Sequence, residues 1–259
     1  MITCGVDVGA KTVKVIIIKD DNIIGKGIAI MEIDRKKSIR EAFDKCLVDS
    51  GISEKDIDYT VATGTGQKSV DFADHLSTVV SCDARGITKL VPSVRTLIDV
   101  GANDARAMRC DENGKVMNFS VNEKCAAGAG AFVEAMSRAM EVSIEEFAQL
   151  SLQSTKSIPI NAQCAIFAES EVVSLIHEET DRNDICRSVH EAMVGRIASM
   201  ARTVRIEEDV ALIGGVAFNR GMVEFLKKDL DVELIIPEEP EYVGAYGAAL
   251  LAMDKVNQG

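Results

Sequence analysis

One tripeptide, Asp-Val-Gly, occurs twice in this chain, at Asp7-Val8-Gly9 and at Asp99-Val100-Gly101, and each copy closes a strand-like run and opens a hairpin. The first is preceded by the alternating segment Ile2–Val8 and followed by a β-branched run over 13–18. The second closes 96–100 and is followed by strand-like stretches at 105–110 and 116–118 around the turn Asp111-Glu112-Asn113-Gly114. A repeated strand–turn–strand unit leaves one half-buried sheet per copy, and each sheet needs helices to cover it. The pattern therefore predicts two related α/β halves around a cleft. The first covers 1–95 and takes a closing helix at about 245–259; the second covers 96–244.

The remaining periodicity agrees with alternating strands and helices. Helical spacing links Ile39, Ala42, Phe43, Cys46 and Leu47, and a strand over 58–63 ends in Gly64-Thr65-Gly66. Helices are expected at about 126–140, 165–177 and 184–205. The last has Val189, Met193, Ile197, Met200 and Val204 on one side. Short strands at 210–213 and 234–236 precede a closing helix at 244–253. With 259 residues, 47% of them hydrophobic, the chain can bury a substantial core.

A formal net charge of -12 argues against nucleic acid as a partner, because phosphate backbones select basic faces. No apolar run is long enough to span a bilayer, so no membrane partner is expected, and no signal peptide opens the sequence. Seven cysteines, an odd number without CxxC pairs, suit a reducing cytoplasm and free or ligating thiols.

The hairpins carry the first chemistry. In Asp7-Val8-Gly9-Ala10-Lys11-Thr12-Val13-Lys14, Gly9 lets backbone N–H groups approach a phosphate, and Thr12, Lys11 and Lys14 add a hydroxyl and positive charge. Asp7 can hold a hydrated Mg²⁺. Alone, such a segment reads first as an ordinary tight turn. The second copy, Asp99-Val100-Gly101-Ala102-Asn103-Asp104-Ala105-Arg106, changes this, because two phosphate hairpins are then followed by Gly214-Gly215 and by a small-residue helix from Gly244. Candidate catalytic residues are Asp7, Asp99, Asn103 and Asp104. Candidate nucleotide-binding residues are Gly9, Lys11, Thr12, Lys14, Gly101, Gly128, Gly130, Gly214, Gly215, Asn219 and Gly244.

The second chemistry lies in Cys125 and Cys164, each placed where a polar loop gives way to a helix-like run. A thiol at a helix N-terminus faces the positive end of the dipole, which favours the ligating thiolate. Two thiolates do not complete a four-thiolate iron–sulfur site, whereas a two-fold dimer supplies four. The alternative is a pair of buried thiols at helix starts. Cys4, Cys46, Cys110 and Cys186 read as packing thiols, and Cys82 as a core or surface thiol. His75, His177 and His190 show no ligand spacing. Glu169 and Glu171 follow Cys164 and serve either the helix or a metal-bound water.

The order of phosphate loop, phosphate loop, nucleoside loop and terminal small-residue helix resembles the actin, hexokinase and Hsp70 ATPase fold. A sugar or acetate kinase of that fold would need a substrate base, and no residue distinct from the Mg²⁺ carboxylates offers one. More narrowly, Lys124-Cys125-Ala126-Ala127-Gly128-Ala129-Gly130-Ala131-Phe132, Cys164 with Phe167-Ala168-Glu169-Ser170-Glu171-Val172, Gly214-Gly215-Val216-Ala217-Phe218-Asn219 and Gly244-Ala245-Tyr246-Gly247-Ala248-Ala249-Leu250 resemble the BadF/BadG/BcrA/BcrD ATPase family.

That resemblance implies an ATP-driven single-electron donor. One [4Fe–4S] cluster is shared between two subunits through Cys125 and Cys164, ATP/ADP and Mg²⁺ (on Asp7 and Asp99) occupy the cleft, and ferredoxin or flavodoxin is the reductant. The acceptor is an iron–sulfur acyl-CoA reductase or dehydratase component. Activators of this family usually carry Gly-Ser-Thr in the first loop, Asp-Ile-Gly-Gly-Gln-Asp in the second and a glycine-rich insert near residue 32. Here Gly9-Ala10-Lys11-Thr12, Asp99-Val100-Gly101-Ala102-Asn103-Asp104 and a charged 31–37 stand instead. These departures favour a benzoyl-CoA reductase ATPase subunit, paired with an identical or homologous chain, over a free-standing homodimeric dehydratase activator. A nucleotide-binding regulatory subunit without redox chemistry is the reading from a different class.

Overall fold

The computed structural model describes residues 1–122, 129–161 and 163–258. Its first sheet grows directly from the N-terminal pattern. β1 (Ile2–Val8) pairs antiparallel with β2 (Thr12–Lys19) in a register that sets Asp7 opposite Lys14, and β2 continues antiparallel into β3 (Asn22–Ile30). α1 (Arg35–Ser50) starts at Asp34, whose carboxylate accepts the Lys37 N–H, and stops at Gly51 in the left-handed conformation. β4 (Tyr59–Thr63) returns parallel to β1, and the short β5 (His75–Leu76) lies beside it. α2 (Val79–Leu90) follows, capped by Thr78. The order across this sheet is β3-β2-β1-β4-β5.

The second sheet contains β6 (Thr96–Val100), β7 (Ala105–Cys110) and β8 (Val116–Asn122). Four helices come next: α3 (Ala129–Ala139), α4 (Ile144–Gln153), α5 (Ala165–His177) and α6 (Arg182–Arg202). β9 (Val210–Ile213), α7 (Arg220–Leu230), β10 (Leu234–Ile235) and α8 (Val243–Gln258) complete the chain. The order here is β10-β9-β6-β7-β8. From its β8 edge it repeats the first sheet strand for strand, with β6 in the place of β1, β7 of β2 and β9 of β4. The duplication read from Asp-Val-Gly is thus a duplication of sheet topology. The architecture is that of the actin, hexokinase and Hsp70 ATPases.

The chain divides into two compact units, Met1–Leu97 with Cys110–Met117 and Pro237–Gly259, and Ile98–Arg109 with Asn118–Ile236. In the first, α8 lies close on β1 and α2. A Cβ on Gly5 would stand 2.0 Å from the Ala245 carbonyl oxygen, and one on Gly247 would stand 1.7 Å from that of Cys82. The small residues of the closing helix are therefore a condition of backbone-close packing on β1. In the second unit, Phe132 and Met136 of α3, Phe147 of α4 and Val189 and Met193 of α6 form a buried aliphatic and aromatic core with Ile98 and Leu212. Each large side chain there contributes about 1.5–3 kcal/mol by leaving water. Among the described residues no helix is long and apolar enough to cross a membrane.

Candidate functional site

In the first hairpin the Gly9 N–H donates to the Thr12 carbonyl at 3.1 Å, and Lys14 Nζ reaches Asp7 Oδ2 at 3.1 Å. The turn after β4 closes on the same carboxylate. Gly64 has φ +90°, and a Cβ there would stand 2.6 Å from Asp7 Oδ1 and 2.4 Å from the Val8 carbonyl. The Gly66 N–H bonds that carbonyl at 3.0 Å. Gly244, at the start of α8, approaches from another side, so that its Cβ would meet Asp83 Oδ1 at 2.8 Å and Asp7 Oδ2 at 3.9 Å. Asp7, Asp83, Lys14, Gly64 and Gly244 thus form one cradle of two carboxylates, one ammonium and close backbone. Lys11 is exposed at the hairpin tip and Thr12 is half-buried at its base.

The second hairpin repeats this geometry. The Gly101 N–H donates to the Asp104 carbonyl at 2.9 Å. Arg106, seven residues after Asp99 as Lys14 is after Asp7, donates to Asp99 Oδ2 at 2.8 Å and to Asp104 Oδ2 at 2.5 Å. Gly214 takes the part of Gly64: φ is +86°, and a Cβ would stand 2.6 Å from Asp99 Oδ1 and 2.5 Å from the Val100 carbonyl. α3 starts against the hairpin, where the N–H groups of Gly130 and Ala131 donate to the carbonyls of Gly101 and Ala102 at 3.2 and 3.0 Å. Asn103 is exposed at the tip and Gly215 is exposed beyond Gly214. Asn219 caps α7, its Oδ1 accepting the Met222 N–H at 3.0 Å.

Close backbone, paired carboxylates and a cation suit a hydrated divalent ion and phosphate oxygens, and a Cβ at either glycine would fill the space beside the acid. Gly64, Asp83 and Arg106 are the members that sequence reasoning had not singled out. Gly64 and Arg106 could have been found by aligning the two copies. Asp83 had no counterpart to reveal it.

Cys164 stands at the N-cap of α5 and is half-buried; Cys125 and Gly128 lie outside the described residues. The loop into Cys164 is held by α5 itself, with Glu171 Oε2 accepting the Asn161 N–H at 2.7 Å and Asn161 Oδ1 accepting that of Gln163 at 2.8 Å. Glu171 therefore positions the thiol-bearing turn, while Glu169 is exposed. The other described cysteines, Cys4, Cys46, Cys82, Cys110 and Cys186, are buried. Burial raises the Cys4 thiol well above its ordinary value, those of Cys46, Cys82 and Cys186 to about 12 and that of Cys110 to about 11. They are packing thiols. Cys164 has the partial access a metal ligand needs. No group of three or more His, Cys, Asp or Glu forms a metal cage among the described residues.

Known proteins sharpen the assignment. An activator of lactoyl-CoA dehydratase from Anaerotignum propionicum is 40% identical over 258 residues, covering 98% of each chain. A benzoyl-CoA reductase subunit from Thauera aromatica is 30% identical over 261 residues, 96% of this chain and 92% of its own. The solved activator of the 2-hydroxyisocaproyl-CoA dehydratase from Clostridium difficile, with bound ADPNP, superposes with a TM-score of 0.91 at 33% identity, over 100% of this chain and 96% of that one. The family model of these ATPases matches residues 4–252. With its duplicated cradle and the Cys164 turn in place, the chain belongs to the BadF/BadG/BcrA/BcrD ATPase family.

Proposed function

We propose that this protein is the ATPase that activates a 2-hydroxyacyl-CoA dehydratase, coupling hydrolysis of ATP to ADP and phosphate to the transfer of one low-potential electron. The observation that carries the nucleotide half is the twin acid–glycine–cation cradle. Asp7 and Asp99, each in its own cradle, would offer a carboxylate to Mg²⁺ or to its bound water, and Lys14 would supply charge toward phosphate oxygens. Gly9 and Gly101 present backbone N–H groups, and Asn103 and Asp104 align the attacking water at the second tip. Gly130, Gly214, Gly215, Asn219 and Gly244 shape the nucleoside and phosphate surroundings. Lys11 and Thr12 line the first tip.

The redox half rests on Cys164, which with Cys125 of each of two subunits would hold one [4Fe–4S] cluster. The bound cluster supplies a one-electron carrier whose potential responds to charge and hydrogen bonding at its thiolates. Ferredoxin or flavodoxin gives the electron, and an iron–sulfur dehydratase component takes it. The division of labour between residues 1–95 plus the closing helix and residues 96–244 belongs to this same reading. The greater likeness to the lactoyl-CoA dehydratase activator, 40% against 30% for the reductase subunit, supports the activator. The benzoyl-CoA reductase reading keeps support from the Ala10-Lys11 and Ala102-Asn103 departures.

The test is anaerobic purification with native mass spectrometry. A homodimer carrying one cluster, hydrolysing ATP and activating a dehydratase by itself is expected. Cys125→Ala and Cys164→Ala should lose iron and sulfide while still binding MgATP, and Asp7→Asn should lose Mg²⁺-dependent hydrolysis. Full iron in either cysteine variant refutes the ligand assignment. A poor ATPase restored only by a related second chain restores the reductase reading.

A further inference from the structure

His190 is fully buried on α6, between Phe147 of α4 and Phe225 of α7, at ring-centroid distances of 5.1 and 6.1 Å. Gly221 is pressed against its edge: a Cβ there would meet His190 Cδ2 at 2.8 Å and Nε2 at 2.9 Å. No step described so far uses this residue. Its two nitrogens each face an oxygen. Nδ1 lies 2.8 Å from the carbonyl of Cys186, one turn back on α6, and Nε2 lies 3.2 Å from Asn219 Oδ1. A peptide carbonyl only accepts, so the short Nδ1 contact is an Nδ1–H donation. Asn219 Oδ1 already accepts the Met222 N–H that starts α7.

A neutral imidazole has one N–H. It cannot donate to both oxygens, and burial favours the neutral ring by lowering its pKa. The Asn219 amide is the partner able to adapt. Oxygen toward the ring caps α7 and needs a donor at Nε2. Turned over, the amide gives Nδ2–H to Nε2 and releases the Met222 N–H. With its Nδ1–H given to Cys186, the neutral ring offers Nε2 only as an acceptor, so it draws the Asn219 amide N–H and competes with the α7 cap for the setting of that side chain; Asn219 ends the turn that begins at Gly214.

We propose that His190 is a positioning residue for nucleotide binding: from behind the loop it sets the side chain of Asn219, the residue that closes the Gly214–Phe218 turn. The proposal rests on the reading of that turn as the nucleoside loop.

The experiment uses the full chain and four variants, His190→Leu, His190→Gln, Asn219→Ala and the His190→Leu/Asn219→Ala double. Calorimetry measures the Kd for MgATP, and long-range ¹H–¹⁵N NMR reads the His190 ring. His190→Leu should weaken ATP about tenfold, equivalent to about 1.4 kcal/mol. Asn219→Ala should do the same, and the double variant should lose no more than either single, because both remove one interaction. His190→Gln, whose amide can meet Asn219 in either setting, should recover most of the affinity. The His190 Nε2 shift of otherwise native protein should move in Asn219→Ala. ATP affinity in His190→Leu within about twofold of the wild type, or strictly additive losses, overturns the proposal. If His190→Leu does not fold, His190→Gln and the NMR arm decide, and an Nε2 shift unmoved by Asn219→Ala overturns it. If wild-type protein binds no ATP, the nucleotide reading fails, while the NMR arm still judges the His190–Asn219 contact.

Discussion

Gly214 and Gly215 are neighbours in sequence, and the structure assigns them opposite responses to the same substitution. Gly214 has φ +86° and ψ 173°, a region almost closed to residues with a Cβ. An alanine methyl there would stand 2.5 Å from the Val100 carbonyl oxygen and 2.6 Å from Asp99 Oδ1. The backbone strain costs about 1–3 kcal/mol, and overpacking against a backbone atom adds about 1–3 kcal/mol. Gly214→Ala should therefore destabilise the fold by about 2–6 kcal/mol, a large part of the roughly 5–15 kcal/mol a domain possesses. For a chain this long each kcal/mol lowers Tm by about 2–4 °C. Nothing lies within 4 Å of a Cβ built on Gly215. Gly215→Ala should stay within about 0.5 kcal/mol of the parent. Urea unfolding followed by circular dichroism, with both variants beside the parent, measures the two numbers. Equal losses for the pair, or a Gly214→Ala cost under about 1 kcal/mol, would refute the claim that a backbone-close approach to Asp99 demands this glycine.

Arg106→Met removes a buried guanidinium gripping Asp99 and Asp104, and should cost about 3–5 kcal/mol by denaturant melt, with Arg106→Lys recovering part of it; a loss under about 1 kcal/mol would show that the two carboxylates do not need it. Burial holds the His190 pKa below its ordinary value near 6.5, so between the folded and unfolded pKa the unfolded chain binds more protons, and stability falls as pH drops below about 6.5. The stability advantage of the parent over His190→Gln should shrink between about pH 7 and pH 5.5, and a pH-independent difference contradicts the assignment. Glu171→Gln should cost no more than about 1 kcal/mol yet lower the iron retained after anaerobic reconstitution, since Glu171 holds the Asn161 N–H at the turn into Cys164; unchanged iron would leave Glu171 without a positioning role.

Most of the strands were legible because burial on one or both faces writes itself into period-two or β-branched runs, as in Ile2–Val8 and Val210–Ile213. The two-residue β5 carries too little pattern to be read. Three helices also escaped. α2 contains paired valines, a threonine and Gly86, a composition poor in helix propensity that is overridden by close packing on α8, where a Gly86 Cβ would stand 2.3 Å from the Val243 carbonyl. α4 and α7 are short, and their caps, Ser143 and Asn219, are the main local marks of where they begin. In the site, acids and glycines at strand ends were visible because a turn needs them. Asp83 was not, because its approach to Gly244 joins α2 to the start of α8 across most of the chain.

The two cradles also differ where a simple duplication would make them alike. In the first, Lys14 meets Asp7, and the position matching Asp104 is held by the neutral Thr12. In the second, a planar guanidinium meets two carboxylates at once. A lysine ammonium is a point charge on a flexible stem and can turn toward an arriving phosphate, whereas the arginine fork is satisfied by its paired carboxylates and keeps its geometry. The same strand–turn–strand frame thus supports an adaptable cation in one copy and a fixed acid pair in the other. Asn103 sits between Gly101 and Asp104, whose backbone groups are bonded to each other, and Asp104 is bonded to Arg106. Its side chain is exposed at a tip whose base is tied by these bonds.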